Sequence, residues 1–132
     1  MRFLLDTDTC IYAMKQNAAV LGTLLAQSRE DIAVSVITEA ELRTGAAKST
    51  AGPRTLRVIE NFLLPLSILP FTSEDAIAYA LVRSKLERAG KPIGPLDTLI
   101  AGQAVARSLV LVTNNEREFG RVSGLQVENW TR

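Results

Sequence analysis

Four acidic residues stand where an apolar, strand-like segment gives way to the start of a helix: Asp6, Glu41, Asp97 and Glu118. In a protein that alternates strands and helices around a parallel sheet, such junctions collect at one edge of the sheet, where ligands bind. Carboxylates crowded at that edge repel one another in a cleft of low dielectric constant. Divalent cations relieve the repulsion, and ligand sets made only of oxygen suit Mg²⁺ or Mn²⁺. The pattern therefore predicts metal-dependent phosphodiester chemistry.

The amino-acid composition excludes several other catalytic chemistries. The chain contains no histidine, so no imidazole can act as a base, an acid or a zinc ligand. Histidine-driven ribonucleases and Ser-His-Asp hydrolases are therefore excluded. The single cysteine, Cys10, permits neither an intramolecular disulfide nor a cysteine zinc cluster. Carboxylates are left to carry the catalysis.

Each of the four acids also has a local, structural interpretation. Glu41 lies three residues after Thr38, which is the spacing of a capping box at a helix start. Asp97 falls in the first turn of a helix opened by proline, where a negative charge favours the helix dipole. Asp6 could be a turn residue, and Glu118 could be a surface acid paired with a neighbouring arginine. The fold itself argues for a shared site, because it places all four acids at one edge.

The elements that would position these acids follow from apolar spacing and from turn signals. The first helix is predicted to be capped by Asp8 or Thr9, and the long helix near the middle of the chain by Ser73. Residues of that long helix predicted to face the core are Ile77, Ala80, Leu81 and Ser84. Strands are predicted at 2–5, 31–37, 66–71, 109–112 and 126–128, and helices at about 8–15, 18–28, 38–48, 52–65, 73–89 and 95–107. The alternation predicts one α/β domain over residues 1–132, a three-layer sandwich with a mainly parallel central sheet.

Charge and hydropathy predict a protein of the cytoplasm. No apolar stretch approaches the roughly 20 residues of a membrane span, and the amino terminus lacks a signal-peptide pattern. A net charge of +1 argues against indiscriminate nucleic-acid binding. One basic cluster could contact phosphates or could be a solvated helix face. Its members are Arg83, Lys85, Arg88 and Lys91.

Four blocks of sequence, in order along nearly the whole chain, resemble those of PIN-domain nucleases. The blocks cover residues 4–8, 35–46, 92–101 and 111–119, and the ending at 122–130 resembles this group as well. The resemblance implies that Asp6, Glu41 and Asp97 are the core metal-binding acids, with Mg²⁺ or Mn²⁺ as the ion. It places the further acid near Asn115, where Glu118 is the candidate. Four neighbouring polar residues are expected to support these carboxylates: Thr7, Asp8, Thr113 and Asn115.

Within that group, the chain most resembles the VapC toxins of bacterial toxin–antitoxin pairs. The resemblance implies an endoribonuclease that a VapB-type antitoxin silences, present as a homodimer that forms a higher assembly with the antitoxin. The 9–12 and 95–97 segments resemble the enteric VapC subgroup, which implies initiator tRNA, cut in the anticodon stem-loop, as the substrate. Because aromatic residues make up only 5% of the chain, we expect recognition of a folded RNA by shape and backbone.

Two other functions remain open at the level of sequence. The 4–8 segment also resembles the first motif of haloacid-dehalogenase-type phosphatases, in which Asp6 would be the nucleophile and Asp8 the acid. The later motifs of that family do not follow in order. The second alternative is a PIN-like module that binds RNA without cutting it, although three core acids at their expected positions argue against it.

Overall fold

The computed structural model describes all of residues 1–132 and contains a five-stranded, fully parallel sheet. The strand order is β3-β2-β1-β4-β5. The strands are β1 (Phe3–Leu5), β2 (Ile32–Ser35), β3 (Ser67–Leu69), β4 (Val110–Val112) and β5 (Val127–Glu128). The predicted α/β sandwich with a parallel central sheet is confirmed.

Seven α-helices surround the sheet, and a short 3-10 turn at Arg29–Asp31 precedes β2. The α-helices are α1 (Thr7–Met14), α2 (Ala18–Ala26), α3 (Val36–Lys48), α4 (Gly52–Leu63), α5 (Ser73–Arg88), α6 (Pro95–Ala106) and α7 (Glu116–Phe119). None of them is long and apolar enough to cross a membrane.

Both faces of the sheet are buried, and alternate residues of each strand serve opposite faces. In β1, Phe3 and Leu5 join the core beneath α1 to α4, where Cys10 and Trp130 also pack. Leu4, between them, joins the core beneath α5, α6 and α7. With helices on both faces, the short apolar strands need no polar alternation.

Three helices are capped by residues earlier in the chain than the sequence predicts. Asp6, not Asp8 or Thr9, caps α1. Ser35 caps α3 by accepting a hydrogen bond from the N–H of Ile37 at 3.1 Å, so the helix includes two β-branched residues that were predicted to extend β2. Thr72 caps α5, in a reciprocal capping box with Asp75. In each case a side-chain acceptor at the junction fixes the helix start, and at α3 it outweighs local strand propensity.

The inward face of α5 was predicted wrongly. Ile77 and Leu81 are 66% and 68% exposed, whereas Asp75, Val82 and Leu86 are buried. Asp75 is buried because it has ionic and polar partners. Its carboxylate accepts hydrogen bonds from the side chains of Gln103 and Arg107, which lie at the far end of α6. A charged residue with partners, Asp75, therefore faces the core, whereas Ile77, which the apolar pattern places there, faces solvent.

The helix pair α5 and α6 packs closely along most of its length. A Cβ atom added at Gly102 would lie 2.7 Å from the Cα of Tyr79. Only a glycine permits this approach of α6 to the backbone of α5. The contact fixes α6, and α6 carries Asp97 near its first turn.

Candidate functional site

The four predicted acids converge at the edge where β1, β2 and β4 end. The neighbouring acids act on Asp97, whose pKa is raised from 3.8 to about 6. Burial is the largest cause, and the remaining causes are the negative charges of Glu41, Glu118, Asp6 and Asp8. Five carboxylates therefore interact at this edge, which we call the acidic edge.

Asp6 is buried, at 4% exposure, directly after β1. One carboxylate oxygen accepts a hydrogen bond from the N–H of Thr9 at 2.8 Å. Burial raises the pKa of Asp6, and hydrogen bonds from Thr113 and Thr9 partly offset that rise. A buried carboxylate at the end of the central strand is consequently held in place by backbone and hydroxyl donors.

Glu41 lies in the second turn of α3 and is half-buried. Its Oε1 accepts a hydrogen bond from the hydroxyl of Thr7 at 2.6 Å, and the Thr7 oxygen lies 3.2 Å from that of Thr38. The Thr38–Glu41 capping box is excluded, because α3 begins at Val36 and is capped by Ser35. Thr38 therefore belongs to the hydroxyl pair that supports Glu41, which the sequence did not reveal.

Asp97 occupies the first turn of α6, two residues after Pro95 opens the helix. The preceding loop is tied to α6, since the hydroxyl of Thr98 donates to the Gly94 carbonyl at 2.8 Å. Asp97 forms no ion pair with any basic group. Its negative charge is thus close to four others and is not neutralised within the protein.

Glu118 is held by Asn115 at the end of β4. The side-chain amide of Asn115 donates to Glu118 Oε2 at 2.9 Å, and its backbone N–H donates to the hydroxyl of Thr113, also at 2.9 Å. The alternative ion pair with Arg117 or Arg121 does not form. The structure thus gives Asn115 and Thr113 the supporting contacts that the sequence suggested.

Asp8 lies in the first turn of α1 and is exposed. It does not cap this helix, but its charge contributes to the raised pKa values of both Asp6 and Asp97. Asp8 therefore adds negative charge to the rim of the acidic edge.

The donor chemistry at the acidic edge fits a hard divalent cation. All five groups offer carboxylate oxygens, and none of the five is ion-paired. No three of them form a ready-made cage, however. Asp6, Glu41 and Glu118 are each bound to a separate local donor, which keeps the mutually repelling carboxylates apart. The negative charge and the oxygen ligands therefore suit a divalent cation. The carboxylates would have to move closer together to bind it.

The members of the predicted basic cluster, which lie on α5 and just after it, have three different environments. Arg83 is engaged, with Nε donating to Glu87 at 3.2 Å and Nη1 donating to the Tyr79 hydroxyl at 2.9 Å. Lys85 and Lys91 line a groove beside α5. Arg88 is exposed at the last turn of α5 and forms no ion pair.

Comparison with known proteins gives a consistent result over nearly the whole chain. Residues 3–125 match the PIN domain family model. A tRNA(fMet)-specific endonuclease VapC from Salmonella typhimurium is 41% identical over 130 residues, covering 98% of both chains. A tRNA(fMet)-specific endonuclease VapC from Shigella flexneri is 39% identical and covers 99% of both chains.

Solved structures resemble the chain equally well. DNA-bound VapBC from Salmonella typhimurium superposes with a TM-score of 0.94 at 40% identity and covers 98% of both chains. VapBC2 from Rickettsia felis, bound to a DNA fragment from its promoter, gives a TM-score of 0.92 at 38% identity, covering 98% of this chain and 99% of its own. These matches favour the nuclease resemblance over the phosphatase one. The chain belongs to the PIN-domain family and, within that family, to the VapC ribonucleases.

Proposed function

We propose that residues 1–132 form a single divalent-metal-dependent endoribonuclease domain that cuts initiator tRNA in the anticodon stem-loop and thereby blocks translation. The observation that carries this proposal is the acidic edge, where burial and the charges of four other carboxylates raise the pKa of Asp97 to about 6. The substrate follows from the relatives named tRNA(fMet)-specific endonucleases, at 39% to 41% identity. Such an enzyme acts in the cytoplasm, where its substrate is found.

Asp6, Glu41 and Asp97 are the residues that would hold Mg²⁺ or Mn²⁺, and Glu118 is the additional acid. When bound there, a divalent ion lowers the pKa of water and neutralises charge that develops on phosphate oxygens. Attack of water on phosphorus would leave 5′-phosphate and 3′-hydroxyl ends. The chain supplies no imidazole for base catalysis, because it contains no histidine.

The polar neighbours of the acids orient them. Thr7 holds Glu41 through a short hydrogen bond, at 2.6 Å. Asn115 holds Glu118, and Thr113 supports both Asn115 and Asp6. Side chains that hold ligand carboxylates in this way commonly improve metal affinity by about tenfold or more.

We also propose that a VapB-type antitoxin silences the enzyme. A groove of about 520 Å³ between α1, α3 and α4 supports this partner. Ile11, Met14 and Val58 give the groove apolar walls, and Glu41 lies on its lining. An amphipathic helix suits such a groove, and occupying it would also cover one acid of the acidic edge. We expect a homodimer that forms a larger assembly with the antitoxin, as the VapBC complexes of the relatives suggest.

Cleavage of purified tRNAs tests the proposed substrate. With Mg²⁺, we expect one cut in the anticodon stem-loop of initiator tRNA, mapped by sequencing of the new ends, and much slower cutting of elongator methionine tRNA. Equal cutting of all tRNAs would contradict the substrate assignment. Tight binding of tRNA without any cut in either Mg²⁺ or Mn²⁺ would instead support the non-catalytic module.

A further inference from the structure

A second groove, of about 740 Å³, lies between α5 and the segment that follows α7. Its apolar lining includes Leu81, Val82, Val105 and Val122. Four cationic side chains also line it: Lys85, Lys91, Arg117 and Arg121. We call it the basic groove.

The cations of the basic groove are not neutralised by the protein. None of the four forms an ion pair, all four are exposed, and no acidic residue lines the groove. Three arginines outside the groove are neutralised by acidic partners. Arg43 is paired with Glu39 and Glu60, Arg83 with Glu87, and Arg107 with Asp75. In a chain whose net charge is only +1, this groove therefore concentrates free positive charge.

The basic groove adjoins the acidic edge through two shared segments. Arg117 immediately precedes Glu118 on α7, and α7 is anchored by the buried Phe119. Lys91 lies in the loop that leads to Asp97, and Arg121 donates from Nη1 to the Pro92 carbonyl of that loop at 3.2 Å. An RNA backbone held in the groove would consequently lie beside the two segments that carry Glu118 and Asp97.

We infer that the basic groove binds the phosphate backbone of the RNA on one side of the cleaved bond. This inference rests on the proposed ribonuclease function. The groove has no aromatic side chain on which bases could stack, so its contacts are to phosphates and sugars. The acidic edge repels the same phosphates, and the four cations compensate for that repulsion. Arg117 and Arg121 take the place of Arg83 and Arg88 in the set expected from the sequence.

The test measures tRNA binding in EDTA, which prevents cutting, across about 50 to 200 mM salt. The variant Lys85→Gln/Arg117→Gln should weaken binding about tenfold and reduce the slope of log K against log salt by about 2. The control Arg29→Gln/Lys48→Gln removes two exposed charges outside the groove and should bind like wild type. The charge-preserving variant Lys85→Arg/Arg117→Lys should keep the affinity.

Cleavage by the same variants separates the two proposals. With Mg²⁺, the groove variant should show a raised KM and a nearly unchanged kcat. If it binds tRNA like the control, the basic groove does not hold RNA, even though the wild type still cuts. If the variant instead loses oligomeric mass in sedimentation while its RNA affinity is unchanged, the groove is an interface between copies of the chain. A wild type that neither binds nor cuts tRNA would overturn the proposed function itself.

Discussion

At the level of single residues, Asp97 shows that the acidic edge destabilises the metal-free protein at neutral pH. Its carboxylate is half-buried beside four others and has no cationic partner. The protonated form is favoured in the folded state, where the pKa is about 6, over the unfolded state, where it is near 3.8. The stabilising effect of the bound proton is therefore lost as pH rises from about 4 to about 6.

Replacement of Asp97 by Asn should stabilise the metal-free protein at neutral pH, because it removes this repulsion. With allowance for partial solvent screening, we expect a gain of about 1 kcal/mol, or roughly 3 to 5 °C in melting temperature. Thermal unfolding in EDTA measures the effect. Glu30→Gln, which changes an exposed acid before β2, is the control and should leave the melting temperature unchanged. An unchanged or lower melting temperature for Asp97→Asn would contradict the repulsion.

Cleavage at subsaturating Mg²⁺ should depend on pH through the same group. A metal ligand must be ionised, so the rate should fall as pH drops below about 6, the pKa of Asp97 in the metal-free protein. Single-turnover rates between pH 5 and 8 measure the profile, and a higher Mg²⁺ concentration should shift the inflection to lower pH. A flat profile, or one that metal does not shift, would show that protons and metal do not compete at Asp97.

At the scale of elements, the sequence predicts which strands and helices exist better than it predicts where they start and which face is buried. All five strands and the main helices follow from apolar runs, caps and turn residues. The start of α3 and the buried face of α5 do not. Val36 and Ile37 have strand propensity but follow a capping serine, and Asp75 is buried because Gln103 and Arg107 reach it from another helix. A local cap decides the first case, and contacts distant in sequence decide the second.

The α5–α6 contact gives a prediction at this scale. Gly102→Ala should push α6 away from Tyr79 and destabilise the fold by about 1 to 3 kcal/mol, because the added methyl group meets backbone atoms at 2.7 to 2.9 Å. Gly22→Ala is the matched control within α2, where a Cβ meets nothing within 4 Å. This control should be stabilising by about 0.5 to 1 kcal/mol. Chemical denaturation measures both, and equal effects would contradict the tight helix contact.

At the scale of the whole molecule, the sheet topology produces the site. The order β3-β2-β1-β4-β5 places β1 between β2 and β4, so the acids that follow these strands meet. The parallel alternation predicts that meeting for Asp6, Glu41 and Glu118. Asp97 instead follows the loop between α5 and α6, where the sequence suggested a strand-like segment and the structure has none. The sequence does not predict that Lys85 and Arg117 share a groove, because 31 residues separate them and only the packing of α5 against the segment after α7 unites them.

The most direct test of the metal site is a Mn²⁺ titration followed by the EPR signal of the free ion, at a pH well above the pKa of Asp97. We expect that the wild-type protein depletes free Mn²⁺, that Mg²⁺ competes for the same site, and that Asp97→Asn loses this binding. Glu30→Gln should bind Mn²⁺ like wild type. Binding of Mn²⁺ by Asp97→Asn with wild-type affinity, or no binding by the wild type, would contradict a metal site at the acidic edge.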